Sequence, residues 1–511
     1  QPGLMRLYAP SAAGLGGLVR ADFVVSERVT RHLLSDREHM PYLVADPDEE
    51  KATLTVRAKV EAPRQVIPRS QWRFSSDCAS VEMPAGFEPH RIYEVVYTAR
   101  DPVLVGLGPA AVRDLLSCLK HPPSGQPALV PGIRRALAYG ASQSGRFLRT
   151  FLYYGFNQDE KGRPVLDGVL AHVAGAGRGS FNHRFAQPSR DAHPFMNFFY
   201  PTDIFPFTDL EQTDPETGVT DGLLSQARKS GVAPKVFYSN SSYEYWGRAA
   251  SLIHTTLDGA SDMPIPDNVR IYLFAGSQHG PAPFPPSRTI GQQLNNPNNF
   301  RWAMRALLVA MDRWVSEGVE PPASVYPRRS SGTLVAPEAL DFPKIPGVSF
   351  STRVHKAYRV DYGPEWKSGV VTREPPQVGK PFPILISQAD TDGNETGGLR
   401  LPEVAVPLAT YTGWNLFNEK SGPSDELSSM QGSFIPFPPT RAERQRSGDP
   451  RRAIEERYHD RDQYLGLVAQ AAMKLIEQRY LLEQDLPAIL REAAARWGWV
   501  AGAGLRPAPT R

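Results

Sequence analysis

A chain of 511 residues is too long for one ordinary hydrophobic core, so a large elaborated domain or two to three domains are expected. Its 41% hydrophobic content describes a globular protein, and 57 basic against 54 acidic residues leave a net charge of +3, without the basic excess of a nucleic-acid binder. No window of about 18 uncharged apolar residues exists to span a membrane. The 49 prolines and 42 glycines speak for many turns rather than a helical bundle.

The chain opens on Gln1, not methionine, and carries no signal-peptide pattern, which reads as a processed or trimmed start. Residues 1–90 read as a β-rich region: "ADFVVSERV" and "ATLTVRAKVEA" alternate apolar and polar residues with period two. From 91 to 320, strand and helix patterns alternate. "RIYEVVYTA" (91–99) is a strand, and "GPAAVRDLLSCLKH" (108–121) has helical apolar spacing. "RRALAYG" (134–140) is a short strand. "GRFLRTFLYYG" (145–155) sets Phe147, Leu148, Phe151 and Leu152 on one helical face and stops at Gly155. "LDGVLAHVAGAG" (166–177), "PKVFYSN" (234–240) and "VRIYLFAGSQHG" (269–280) are further strands, and "FRWAMRALLVAMDRWVSEG" (300–318) is an amphipathic helix. Such alternation predicts an α/β fold with a mostly parallel sheet flanked by helices.

An aromatic, proline-rich stretch over 180–209, within an insert that runs to about 230, is too apolar for a solvated loop and is expected to be a lid or pocket wall. Residues 321–511 mix loops and strands, finish in helices around 463–497, and are expected to pack on the core. "RAERQRSGDPRRAIEERYHDR" reads as a solvated charge run. Cys78 and Cys118 are either two buried free thiols or one disulfide, and the sequence leaves both open.

The chemistry-bearing stretch is "YGASQSG", which lies between a strand and a helix. A serine hydroxyl is a poor nucleophile unless it is thrust out of the backbone against a base. A sharp strand-to-helix turn does this, and its crowding demands small residues two positions to either side. Around Ser142 these are Gly140 and Ser144. Around Ser144 they would be Ser142 and Arg146, and the arginine would clash. The motif is therefore G-x-S-x-S centred on Ser142, with the Gln143 N–H as an oxyanion donor. A second donor is expected from "TARDPVLVGLG" (98–108), at no assignable residue.

The base should follow the last strand, and among 11 histidines His279 fits, in a glycine-flanked loop after "VRIYLFAGSQ". His172 and His254 read as core residues, while His183 and His193 lie in the aromatic insert and are candidates for a pocket lining. The acid should lie between serine and histidine at the end of a strand. Glu244, after "PKVFYSN", leads Asp203, Asp209 and Asp258, although a carboxylate there is also the ordinary partner of a helix start. Phe181, His183, Phe205 and Trp414 are the expected pocket residues.

With "SQSGRFLR" at its centre, the chain resembles the bacterial alpha/beta hydrolase domain proteins. The likeness includes "GLGPAAVRDLLS", "VAGAGRGSFNHRFAQPS", "PKVFYSNSSYEYWGRAASLIHT", "AGSQHG", "RLPEVAVPLATYTGWNL" and "GSFIPFPPTRAER", and it runs from about residue 80 to the C-terminus. The resemblance implies an α/β-hydrolase fold and serine hydrolase activity, with Ser142 and His279 at matching positions, and a periplasmic or secreted location.

Other motifs lead to bland readings. "ADTDGNETGG" (389–398) groups Asp390, Asp392, Asn394 and Glu395, but it lacks the full spacing of a calcium loop and reads as a glycine-rich turn. "VGLG" and "VAGAGRG" do not complete a dinucleotide fingerprint, and no cysteine–histidine cluster suggests zinc. The expectation is an esterase without cofactor or metal, acting on a small-molecule ester. An acyltransferase or amidase with the same triad, or an inactive hydrolase fold that binds a ligand, are the alternatives.

Overall fold

The structure, a computed structural model, describes residues 9–37, 39–125, 127–192 and 200–501. The chain divides into two compact units, each assembled from separated segments. The first comprises Gln1–Val112, Arg178–Ile204 and Tyr358–Pro381; the second comprises Arg113–Gly177, Phe205–Ala357 and Phe382–Arg511. The sequence-based division ran in chain order, near residues 90 and 320. The insert over 180–230 is shared out, with residues up to Ile204 in the first unit and those from Phe205 in the second.

The first unit is antiparallel. Its strands are β1 (Gly16–Phe23), β2 (Val29–Leu33), β3 (Thr53–Arg57), β4 (Gln65–Ile67), β5 (Arg73–Phe74), β6 (Ser80–Phe87) and β7 (Ile92–Arg100). They form two sheets, in the orders β1-β7-β3-β4 and β2-β6-β5. β7 pairs with β1 along its length and with β3 on its other edge. Every residue from Ile92 to Tyr97 is buried, and all of these but Glu94 are apolar. Val19, Phe23, Leu54, Phe87, Val95, Tyr97 and Phe185 share its core.

Glu94 is the buried charge of β7. Its Oε2 accepts from Arg20 at 3.0 Å, and its Oε1 accepts from Arg64 at 2.7 Å. Arg20 also donates to Glu374 at 2.7 Å, and its carbonyl accepts from the Tyr200 hydroxyl at 3.2 Å. Arg20 thus joins all three segments of the unit, two through its guanidinium and the third through its carbonyl.

Helix α1 (Leu107–Lys120) carries the chain out of the first unit and into the second. There follow β8 (Leu137–Ala141), α2 (Gln143–Tyr153), β9 (Gly168–His172), the small hairpin β10 (Gln212–Thr213) and β11 (Thr220–Asp221), α3 (Ser225–Lys229), β12 (Lys235–Ser241), α4 (Ser242–Gly247), β13 (Val269–Phe274) and α5 (Arg301–Glu317). Strands β8, β9, β12 and β13 form a wholly parallel sheet in the order β13-β12-β9-β8. In this register Ala141 pairs with His172, His172 with Ser239, and Ser241 with Phe274. The carboxyl ends of the four strands are therefore level. Ligands of open parallel sheets bind at such an edge.

The C-terminal part completes the same core. After α6 (Pro402–Ala405) and α7 (Arg441–Ser447), the long α8 (Arg461–Glu477) and α9 (Leu486–Ala501) pack on each other. Their Tyr464, Val468, Ala472, Ile489 and Ala493 join Phe237, Tyr272, Phe274, Met311 and Trp314 in one cluster. α8 starts at Asp460, whose carboxylate accepts from the Gln463 N–H at 2.8 Å, as an N-cap should. Among the described residues no helix is long and apolar enough to cross a membrane.

Candidate active site

Ser142 sits between β8 and α2 with φ 56° and ψ −117°, a backbone state that costs on the order of 1–3 kcal/mol for a residue with a side chain. The turn is held from below by the Ser142 N–H on the His172 carbonyl at 2.8 Å. Crowding explains the small residues: a Cβ on Gly140 would lie 2.4 Å from the Ser144 carbonyl oxygen. Ser144 itself is exposed, so a hydroxymethyl group fits there. Gly145 is closely packed too: its Cβ would meet the His172 carbonyl at 2.9 Å and the Gly140 carbonyl at 3.0 Å. Sequence spacing did not single out Gly145, whose nearest neighbour belongs to β9.

A serine at a helix N-cap ordinarily turns its hydroxyl back to the first turn, but Ser142 makes no such bond. Its Oγ lies instead 3.0 Å from His279 Nε2. His279 Nδ1 lies 2.6 Å from Glu244 Oε1. The Glu244 Oε2 accepts from the Ser241 N–H at 3.0 Å and the Ser241 hydroxyl at 2.5 Å, closing a capping box at the start of α4. The two oxygens of Glu244 thus face different groups, Oε1 the His279 ring and Oε2 the helix start at Ser241. Glu244 is fully enclosed, while the His279 side chain keeps 15% of its surface exposed. Burial raises the Glu244 pKa, but the His279 charge and the hydrogen bonds from His279 and Ser241 outweigh it and leave the carboxyl below its ordinary value. Tyr243 packs edge-on against the imidazole, with ring centroids 5.9 Å apart. The Gln143 N–H belongs to the first turn of α2, where no carbonyl one turn earlier is available to it.

The rival acids have other partners or belong to the first unit. Asp209 accepts from the Tyr238 hydroxyl at 2.7 Å, and burial pushes its carboxyl up to about 6. Asp258 accepts from the Thr256 hydroxyl at 2.5 Å at the surface, and Asp203 belongs to the first unit. His172 is buried, its Nδ1 2.9 Å from the Ser239 hydroxyl, and burial lowers its pKa to about 4. His254, also lowered to about 4 by burial, bonds the Tyr245 hydroxyl at 2.9 Å through Nε2.

The expected pocket residues divide between the two units. Phe181 and His183 lie in the first unit, where His183 stacks on Trp366 at 4.2 Å. His193 lies outside the described residues. The stretch 98–108, expected to hold the second oxyanion donor, also belongs to the first unit. Phe205 lies in the second unit, edge-on to Phe207 at 6.3 Å. Trp414 belongs to the same unit and packs on Trp246, which α4 carries beside Glu244, and on Phe342 and Phe350. Cys78 and Cys118 are free thiols. In the 389–398 loop, Asp390 pairs with Arg400 at 3.1 Å, and Asp392 pairs with Arg457. Among the described residues no group of three or more histidine, cysteine or carboxylate side chains gathers as a metal-ligand set.

A level edge of parallel strands, with a strained serine after one strand and hydrogen-bonding side chains after two others, belongs to the hydrolase-fold class of α/β proteins. The chain is a member of the alpha/beta hydrolase domain family, whose model matches residues 59–491. No curated protein and no solved structure gives a significant match.

Proposed function

We propose that the protein is a serine hydrolase that cleaves carboxylic esters through an acyl-enzyme on Ser142. The observation that carries this reading is the continuous line from the Ser142 hydroxyl through His279 to a buried Glu244, with contacts of 3.0 and 2.6 Å, on an elbow at the sheet edge. In the reaction, Ser142 Oγ attacks the acyl carbonyl and its proton passes to His279 Nε2. Glu244 holds Nδ1–H, so Nε2 is the free acceptor, and it stabilises the imidazolium that forms. The Gln143 N–H receives the negative oxygen of the tetrahedral intermediate. His279 then returns the proton to the leaving alkoxide. Water, deprotonated by the same nitrogen, releases the acid. Trp414 and Phe205 are proposed for the apolar wall that takes the acyl or alcohol part.

The deciding experiment assays p-nitrophenyl ester hydrolysis by wild type and Ser142→Ala. Wild type should turn over and be labelled by a fluorophosphonate. The variant, with unchanged circular dichroism, should lose at least about 10³-fold in kcat/KM and take no label. Equal activity in the variant overturns the assignment. Product analysis with added alcohol or amine acceptors reads whether the acyl-enzyme goes to water or to transfer.

A further inference from the structure

The 389–398 loop, which the sequence leaves as a turn, reaches the back of the site. We propose that Glu395 is a positioning residue, whose buried carboxylate fastens the His279 loop to the start of the helix that carries Glu244. The inference rests on the serine hydrolase reading and deepens it.

A single oxygen of Glu395 serves both elements. Oε2 accepts from the Gly276 N–H at 3.0 Å, three residues before His279. The same oxygen accepts from the Ser242 hydroxyl, two residues before Glu244. Ser242 Oγ in turn accepts from the Ser277 N–H at 3.2 Å. A backbone bond from the Tyr243 N–H to the Ser277 carbonyl, 3.3 Å, runs alongside.

The carboxylate is itself held by a stiff loop. Asp390 accepts from the N–H groups of Asp392 and Asn394 at 3.0 and 2.9 Å, and Asn394 receives the Tyr411 N–H at 2.8 Å. Glu395 is only 6% exposed, so neither water nor ions replace its bonds cheaply. The rest of the His279 loop is tied to other segments. Asn296 and Asn298 donate to the Gly276 carbonyl at 3.0 and 2.8 Å, and Gln278 Oε1 accepts from the N–H groups of Asn296 and Gly432. These bonds fix the loop, but they do not fix it to α4. Glu395 does that, alongside the direct bonds that join Ser242 and Tyr243 to Ser277, and so helps set the line from His279 to Glu244. An error of about 1 Å in such a line costs roughly 100-fold in rate.

The test compares wild type, Glu395→Ala, Glu395→Gln and Ser242→Ala in the full chain. Active sites are counted by fluorophosphonate titration, and kcat and KM are measured on a p-nitrophenyl ester. Glu395→Ala should lose roughly 10- to 100-fold in kcat per titrated site, with KM within about twofold. Glu395→Gln keeps an acceptor oxygen and should recover most of that loss. A lower melting temperature with an unchanged kcat per titrated site in Glu395→Ala marks a merely structural role and overturns the proposal. Should Glu395→Ala not fold, Ser242→Ala decides: it breaks the bridge but keeps the buried acid. A fall in kcat at constant KM then supports the proposal, and no fall overturns it. A wild type that takes no label fails the serine hydrolase reading itself, a separate outcome from equal labelling of wild type and variants.

Discussion

Glu244 divides its two oxygens between two tasks, and this separates what its variants do. Oε1 faces His279 and Oε2 closes the cap with Ser241. Glu244→Gln keeps the shape and an acceptor for the cap, but its amide no longer holds the Nδ1–H tautomer. It should fold, keep KM within a few-fold, and lose roughly 10³- to 10⁴-fold in kcat on an ester substrate. A loss under tenfold would remove Glu244 from the proposed mechanism. Glu395 offers a different readout, because burial pushes its carboxyl up to about 7 from an ordinary 4.5. Between those values the folded chain holds a proton that the unfolded chain has released. This group therefore favours folding increasingly as pH falls and loses that effect as pH rises through 7. Glu395→Gln does not titrate. The stability of wild type minus that of Glu395→Gln, from urea denaturation, should grow as pH is lowered from 7 to 5. A difference that shrinks over the same range contradicts a buried acid of raised pKa.

Among the elements, the elbow shows what sequence spacing carries and what it does not. The small residue before Ser142 was legible, because the clash it avoids lies four residues along the same chain, at the Ser144 carbonyl. The strand ends where Ser142, Glu244 and His279 sit were legible too, since each follows a short apolar run into small or polar residues. The need for glycine at 145 was not, because beside the Gly140 carbonyl its nearest obstacles are the His172 carbonyl and Ala174, which come from β9 and the residues after it. Glu395 stayed hidden for the same reason: an acid in "TDGNE" looks the same whether it faces water or the back of a catalytic loop. Gly140→Val sets side-chain atoms against the Ser144 carbonyl and should destabilise by at least about 1–3 kcal/mol. The fraction of fluorophosphonate-reactive protein should fall with it. Ser144→Gly removes an exposed group and should leave both within error. A Gly140→Val protein of wild-type stability and labelling would show that the turn has more room than its backbone distances allow.

Over the whole molecule, the interleaving of segments left no periodic trace in the sequence, since it is specified by pairings between residues far apart in the chain. In the second unit these are apolar: α8 and α9 deliver Tyr464, Val468 and Ile489 to a core begun by β12 and β13. In the first unit an ionic element joins the segments beside the apolar contacts of Phe185. Arg20 on β1 reaches Glu94 on β7, Glu374 in the segment from 358 to 381, and Tyr200 in the segment from 178 to 204 through its own carbonyl. Its side chain has no exposure, so the pairs are strongly coupled, and removing one member strands the others in a place without water. Glu94 would keep Arg64, at 2.7 Å, but Glu374 would lose its hydrogen-bonded cation. Arg20→Ala should therefore cost about 3–5 kcal/mol, whereas Arg20→Met with Glu374→Leu, which removes the charges together and keeps the volume, should cost much less. Hydrogen exchange read by mass spectrometry distinguishes a local from a joining role. Arg20→Ala should lose protection together in peptides covering 16–23, 92–100 and 358–381, and the double variant should restore it in all three. Loss confined to 16–23 would mean that each segment is held by its own apolar contacts and that the ion network is incidental to the way this unit is assembled.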